Sequence, residues 1–233
     1  MPHKKFKFFI IIKEKSERIK NKNFKKIDNK PLYSYLLDEL ANENVFIDTD
    51  SKKLMKLLKK KEKYKKFKVY MRDKRFIDLE ASKSFKKSPV LLMIENFINN
   101  YCDLNDIIIC SHVTSPFIKK KTIFKAAEYL NKGYNSVSSA THHQEFGLVK
   151  KNKKFKAINF DHKIVNKTQD LDPIILLNGS FFIFKAKTFL KNNSRYSDKH
   201  LYYPIDYPES IDINYEGDLN QAKLYVKVKN IIL

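Results

Sequence analysis

Arginine is scarce in this chain. Of its 47 basic residues only Arg18, Arg72, Arg75 and Arg195 are arginine, although the formal net charge is +21. A nucleic-acid reader of that charge is expected to use arginine for bidentate base contacts and stacking, so a nucleic-acid partner is not expected. The lysines run along the whole sequence together with abundant asparagine and isoleucine, the composition of an AT-rich coding sequence. They read as a solvated surface whose field attracts anionic substrates such as nucleotides and acidic sugars. Cysteine is nearly absent as well. Cys102 and Cys110 show neither metal-ligand spacing nor a disulfide framework, so buried thiols are expected. Long apolar runs are missing: none approaches a membrane span, and Phe6–Ile12 is too short and wrongly followed for a signal peptide. A cytoplasmic protein with no membrane partner is the expectation. No internal repeat is visible.

With 233 residues, 42% of them hydrophobic, the chain is long enough for a sizeable core and reads as one domain over residues 1–233. Strand-like and helix-like segments alternate. Strands are predicted at Phe6–Ile12, Val45–Asp48, Phe67–Tyr70, Asp106–Cys110 and Ser136–Ala140. Helices are predicted at Pro31–Asn42, Lys52–Lys61 behind a Ser51 cap, Pro89–Tyr101 and Lys119–Leu130. Residues of about 141–173 break the rhythm as hairpin or insertion material. A long apolar strand, Ile174–Lys185, follows and is interrupted at Asn178-Gly179. A short helix from Ala186, a loop through Pro204 and Pro208, and a helix after Asp218 close the chain. Such alternation implies an α/β fold: a mostly parallel sheet with helices on both faces.

In open α/β sheets, ligands bind beyond the carboxyl ends of the strands. Here that edge carries a basic loop after the first strand, with Lys13, Lys15, Arg18, Lys20 and Lys22 among Ser16, Asn21 and Asn23. It contains no glycine and so is not a P-loop, yet it has the charge to hold a polyphosphate. The other strand ends supply Asp48-Thr49-Asp50-Ser51, Arg72 and Ser111-His112-Val113-Thr114-Ser115-Pro116, and a late segment supplies Ser210-Ile211-Asp212-Ile213-Asn214. Singly, these also read as helix caps or ordinary turns. His142-His143 is a weak metal pair, because neighbours on a strand face opposite ways. Tyr202, Tyr203 and Tyr207 read as packing or subunit-contact residues.

Taken in order, Ser16, Ile19, Lys22 and Asn23, then Asn29-Lys30-Pro31-Leu32, Thr49-Asp50-Ser51, Arg72, Ser82, Thr114-Ser115-Pro116, Gln169-Asp170, Asn178-Gly179 and Ser210-Ile211-Asp212-Ile213 with Asp218 form a pattern. It resembles that of the acylneuraminate cytidylyltransferases, also called CMP-sialic acid synthetases, over nearly the whole chain. The resemblance implies a three-layer, Rossmann-like fold of the nucleotide-diphospho-sugar-transferase kind, with a small dimerisation insertion at about 141–173. It implies that CTP and an acidic 2-keto-3-deoxy sugar are the substrates, that the protein is a homodimer, and that magnesium is the cofactor. Lys22 and Asp212 would be catalytic. Lys13, Ser16, Lys22, Asn23, Arg72, Ser82 and His112 would bind nucleotide, Gln169 and Asn178 the sugar, and Asp212 with Asn214 the metal.

The chain departs from the pattern at several points. Lys13 stands where an arginine is expected, and Glu14, Lys15 and Glu17 replace small or basic loop residues. His112 stands for a glutamine, Ile118 for an arginine and Asn214 for an aspartate. Substitution of a metal carboxylate by an amide is expected to weaken metal affinity. These departures leave open a relative that binds nucleotide or sugar without turnover, or one that uses another nucleotide or sugar.

Overall fold

The structure, a computed structural model, describes residues 6–82, 86–164 and 167–232. Its first strand, β1 (Phe6–Ile12), is the run FKFFIII, with Phe8, Phe9, Ile10 and Ile12 buried. A two-residue hairpin, β2 (Lys26–Ile27) with β3 (Lys30–Pro31), leads into α1 (Leu32–Glu39). Pro31, at φ −65° just before the first turn, is preset for that entry. Strand β4 (Val45–Thr49) is buried throughout, and the Ser51 hydroxyl caps α2 (Lys52–Lys60) by accepting from the Leu54 N–H. Then come β5 (Lys68–Met71), α3 (Lys74–Ser82), α4 (Pro89–Tyr101) with Pro89 in its first turn, β6 (Ile107–Ser111) and α5 (Lys120–Ala127). The remainder is β7 (Ser136–His143), β8 (Leu148–Lys151), β9 (Lys154–Ala157), β10 (Ile174–Lys185), α6 (Ala186–Asn192), β11 (His200–Pro204) and α7 (Glu216–Ile232).

Seven strands form one sheet in the order β11-β7-β10-β6-β1-β4-β5. Strand β10 runs antiparallel to β6 and β7, whereas the β1–β4, β1–β6, β4–β5 and β11–β7 pairs are parallel. Alternation along β1 divides the core between two layers. Phe8, Ile10 and Ile12 pack with Leu36 and Leu37 of α1, Leu54 and Leu58 of α2, and Ile123 and Ala126 of α5. Phe9 faces the other way, onto Phe76 of α3, Phe97 of α4 and Phe189 of α6. Its ring stacks on Phe97 at 4.5 Å. The fold is thus the mostly parallel three-layer α/β arrangement expected from the alternation.

A third cluster sits at the carboxyl edge, where α7 docks. Leu219 and Ala222 pack against Ile211 and Ile213 of the preceding segment, Ile19 of the first loop, Ile27 of β2 and Leu32 of α1. The end of the chain therefore folds back over the loop that follows β1.

Three elements differ from expectation. Helix α3 falls where no element is predicted; its sequence is KRFIDLEAS and it buries only Phe76. Strand β11 falls where a loop is expected; it is an edge strand ending at Pro204, a position where the missing N–H costs no ladder bond. Helix α7 begins at Glu216, before Asp218, because the Asp218 carboxylate reaches back to accept the N–H groups of Asn214 and Tyr215. Within the 141–173 region, β8 and β9 form an exposed hairpin; residues 165–166 of that region lie outside the described residues.

Candidate active site

The first loop is fixed mainly through its backbone. After β1 the Lys13 carbonyl accepts from Asn23 Nδ2 at 2.8 Å, and the Glu14 N–H donates to Asp50 Oδ1 at 2.6 Å. Asn21 takes a left-handed conformation, φ 54°, and starts the single 3-10 turn Lys22–Phe24. That turn aims the Lys22 side chain at the late segment, where its ammonium donates to the Ile213 carbonyl at 2.7 Å. The Ile213 N–H in turn donates to the Thr114 carbonyl at 2.8 Å. The loop after β1, the loop after β6 and the segment before α7 are thereby joined at one point. Burial lowers the pKa of Lys22, opposed by the nearby Asp212 carboxylate.

Beside this junction lies a cleft of about 290 Å³ lined by Leu177, Asn178, Tyr207, Asp212, Asn214 and Gln221, among others. Asn178 belongs to a β-bulge in β10, where Gly179 at φ 71° takes a conformation that favours glycine. Asn178 Oδ1 accepts from Ser139 Oγ and the Ser180 N–H, and its Nδ2 is buried without a partner. Asp212 Oδ2 accepts from Asn214 Nδ2 at 2.6 Å, and Oδ1 is buried and unpaired. Asn23 Oδ1 is in the same condition. Buried polar atoms without partners are uncommon and call for an explanation. Here donors and acceptors left open along one edge suit a polar ligand.

Around the cleft, the expected residues fall into three groups. Lys22, Asp212, Asn214 and Asn178 come together, with Asn23 and the partly buried Ser16 in the adjoining loop. His112 is near them: a Cβ placed on Gly179 would lie 3.7 Å from its Nδ1, and its pKa is held down at about 4 by burial and by the charge of Arg195. Arg72, Ser82 and Gln169 are held elsewhere. The Arg72 guanidinium is fully buried, its Nε 2.6 Å from Asp48 Oδ1 and its Nη1 3.1 Å from Glu80 Oε2, while Nη2 is buried without a partner. Ser82 is exposed at the end of α3, where its hydroxyl donates to the Leu79 carbonyl. Gln169 is exposed beside the hairpin, and its carbonyl accepts from Gln144 Nε2. Lys13 lies on the edge with its ammonium 2.8 Å from Glu80 Oε1. The position expected to carry an arginine, Ile118, is part of the core and 1% exposed.

Sequence reasoning missed two charged residues. Glu80 gathers Lys13 and Arg72 from separate strand ends, and nothing in its local sequence marks it. Arg195 stacks over Phe182, 3.8 Å from the ring centroid, and its Nε is buried without a partner. The scarcity of arginine is the signal that could have singled it out. His142 and His143 close β7; His142 is exposed and His143 bonds Thr141, in line with opposite-facing neighbours. Among the described residues no group of three or more histidine, cysteine or acidic side chains is arranged to hold a metal by itself, and no helix is long and apolar enough to cross a membrane.

Comparison with known proteins places this edge in context. The chain is 25% identical to post-translational flagellin modification protein B of Campylobacter coli over 228 residues, which cover 93% of this chain and 92% of that one. It is 22% identical to pseudaminic acid cytidylyltransferase of Campylobacter jejuni over 223 residues, covering 92% and 93%. Among solved structures, 4-diphosphocytidyl-2C-methyl-D-erythritol synthase superposes with a TM-score of 0.65 at 7% identity, over 96% of this chain and 99% of that one. CMP:2-keto-3-deoxy-manno-octonic acid synthetase complexed with CTP superposes with a TM-score of 0.60 at 11% identity, over 97% and 99%. The model of the cytidylyltransferase family matches residues 10–231, from the first strand through nearly all of the last helix, and the chain belongs to that family.

Proposed function

We propose that this protein transfers CMP from CTP to an acidic 2-keto-3-deoxy sugar of the nonulosonic class and releases pyrophosphate, supplying a sugar donor for surface glycans. Two supports come from comparison: the family, and the relatives named for pseudaminic acid and flagellin modification. The observation that carries the reading is the position of Lys22, a partly desolvated cation bonded to the backbone between Asp212 and Asn214, two residues that line a polar cleft.

In this reaction a sugar hydroxyl oxygen bonds to the α-phosphorus of CTP. The bond from that phosphorus to the α,β-bridging oxygen breaks, pyrophosphate leaves, and the hydroxyl proton passes to solvent. In-line displacement of this kind depends on positioning and on neutralising charge at the leaving oxygen. Lys22 supplies that charge, and burial strengthens it. Asn23 fixes the loop and offers an open acceptor. Asn178, with its free Nδ2, faces the sugar. Magnesium fits the donor set, because Asp212 Oδ1 is an unpaired carboxylate oxygen and this ion takes few protein ligands when phosphates supply the rest. Asp212 and the Asn214 side chain would hold it, and it would neutralise phosphate charge. The protein acts in the cytoplasm as a homodimer joined through the hairpin region.

A second reading, binding without turnover, draws on Lys13 and Arg72 being engaged by Glu80 and Asp48 and on the amide at Asn214. One assay separates the two: pyrophosphate release from CTP and magnesium with a panel of acidic sugars. Release with a nonulosonic acid is expected. Measurable CTP binding with no release from any sugar would leave the binding-only reading standing.

A further inference from the structure

The Glu80 carboxylate joins two cations that come from different strand ends. One is Lys13, just past β1, at 2.8 Å; the other is Arg72, just past β5, at 3.1 Å. The two contacts are not alike. Arg72 is fully buried and already has Asp48 at 2.6 Å, so its charge is neutralised without Glu80. Lys13 is 45% exposed and Glu80 23% exposed, so their pair stands at the solvent boundary and can exchange with another anion. The main chain on either side of Lys13 is pinned, by Asn23 on its carbonyl and by Asp50 on the next N–H. Only the ammonium group is therefore free to change partner. No movement of the loop is needed for it to leave one anion for another.

We propose that Glu80 is a positioning residue that holds the Lys13 ammonium at the nucleotide edge and competes with the incoming triphosphate for it. The inference rests on the proposed CTP-dependent reaction, since it takes the triphosphate to bind over the first loop. Binding replaces an internal carboxylate with phosphate oxygens on the same cation. Glu80 therefore weakens nucleotide affinity. In the free protein it keeps Lys13 ordered and screened from other anions.

The test is calorimetric titration, without sugar, of CTP and separately of inorganic tripolyphosphate into the wild type, Glu80→Gln and Glu80→Asp. Glu80→Gln is expected to tighten both ligands by about two- to fivefold, the range that a part-exposed ion pair supports. Glu80→Asp, whose carboxylate is withdrawn by one methylene, tightens them less and covers the case in which the glutamine variant fails to fold. In a Lys13→Met background the effect of Glu80→Gln should vanish, which a merely structural role would not produce. Equal or weaker binding in both Glu80 variants overturns the proposal. Tripolyphosphate binding that responds to Glu80, in a protein that does not bind CTP, would support the competition and sink the CTP reading instead.

Discussion

At the scale of single residues, the proposed reaction rests on Lys22 and the segment Asp212–Asn214. The Lys22 ammonium has one backbone acceptor and, among the described residues, no carboxylate within ion-pair distance, so its charge is available to an anionic ligand. Lys22→Met should reduce pyrophosphate release by about 100-fold or more, the loss typical when one donor to a developing anion is removed. Thermal unfolding should stay near the wild-type value. Asn214 is an amide where the resemblance places a carboxylate, and its Nδ2 is spent on Asp212. Replacing that donor with a second carboxylate, Asn214→Asp, should lower the magnesium concentration needed for half-maximal rate. An unchanged or raised requirement would remove Asn214 from the metal site. Both positions could be read in the sequence because they sit in ordered motifs. Glu80 could not, since its importance comes from two partners brought to it from other strand ends.

At the scale of elements, β11 and β7 are joined by a partly buried side-chain network as well as by their ladder. His200 holds Ser136 Oγ at 2.7 Å through Nδ1 and Ser138 Oγ at 2.8 Å through Nε2, and Ser136 also meets Ser197. The rings of Tyr196 and Tyr202 pack beside it. Burial holds the pKa of His200 down at about 4, against an ordinary 6.5. The folded state thus binds fewer protons than the unfolded one between these values. The contribution to stability is full above pH 6.5 and declines as the pH falls toward 4. His112, also held at about 4, adds a loss of the same sign in the same window. The urea midpoint should therefore fall between pH 7.5 and 5, and His200→Gln should shrink the fall without abolishing it. A midpoint equal at both pH values would contradict the buried neutral state. The sequence shows a strand at β7 through its apolar and small residues. It hides β11, because a five-residue edge strand with a proline has little periodicity of its own and exists through its partner.

At the scale of the whole molecule, charge and exposed apolar surface lead in different directions. Lysines spread over the surface give a net charge of +21 but no arginine-rich reading face. The hairpin β8–β9 and the first half of β10 expose Phe146, Leu148, Val149, Phe155, Ile175 and Leu176. Large apolar side chains left exposed in one segment are candidates for a contact surface. With the proposed homodimer formed through this region, sedimentation equilibrium should give twice the chain mass of 27.7 kDa. The pair Val149→Glu and Leu176→Glu should shift the protein to monomer, and a wild type that sediments as a monomer would exclude the arrangement.

The sequence by itself determined the alternation of strands and helices, and with it the three-layer sheet, because buried parallel strands and amphipathic helices carry their own periodicity. It also marked the strand-end edge at which Lys22, Asn178, Asp212 and Asn214 come together, because polar residues gather where strands end. Tertiary structure alone decided which of those residues meet. Lys22 reaches Ile213 across 191 positions of chain because α7 folds back over the first loop. Arg72, for which the resemblance implies a nucleotide contact, is buried and paired with Asp48 and Glu80 instead. Long-range contacts of this kind depend on how layers stack, and no local pattern of residue types records that.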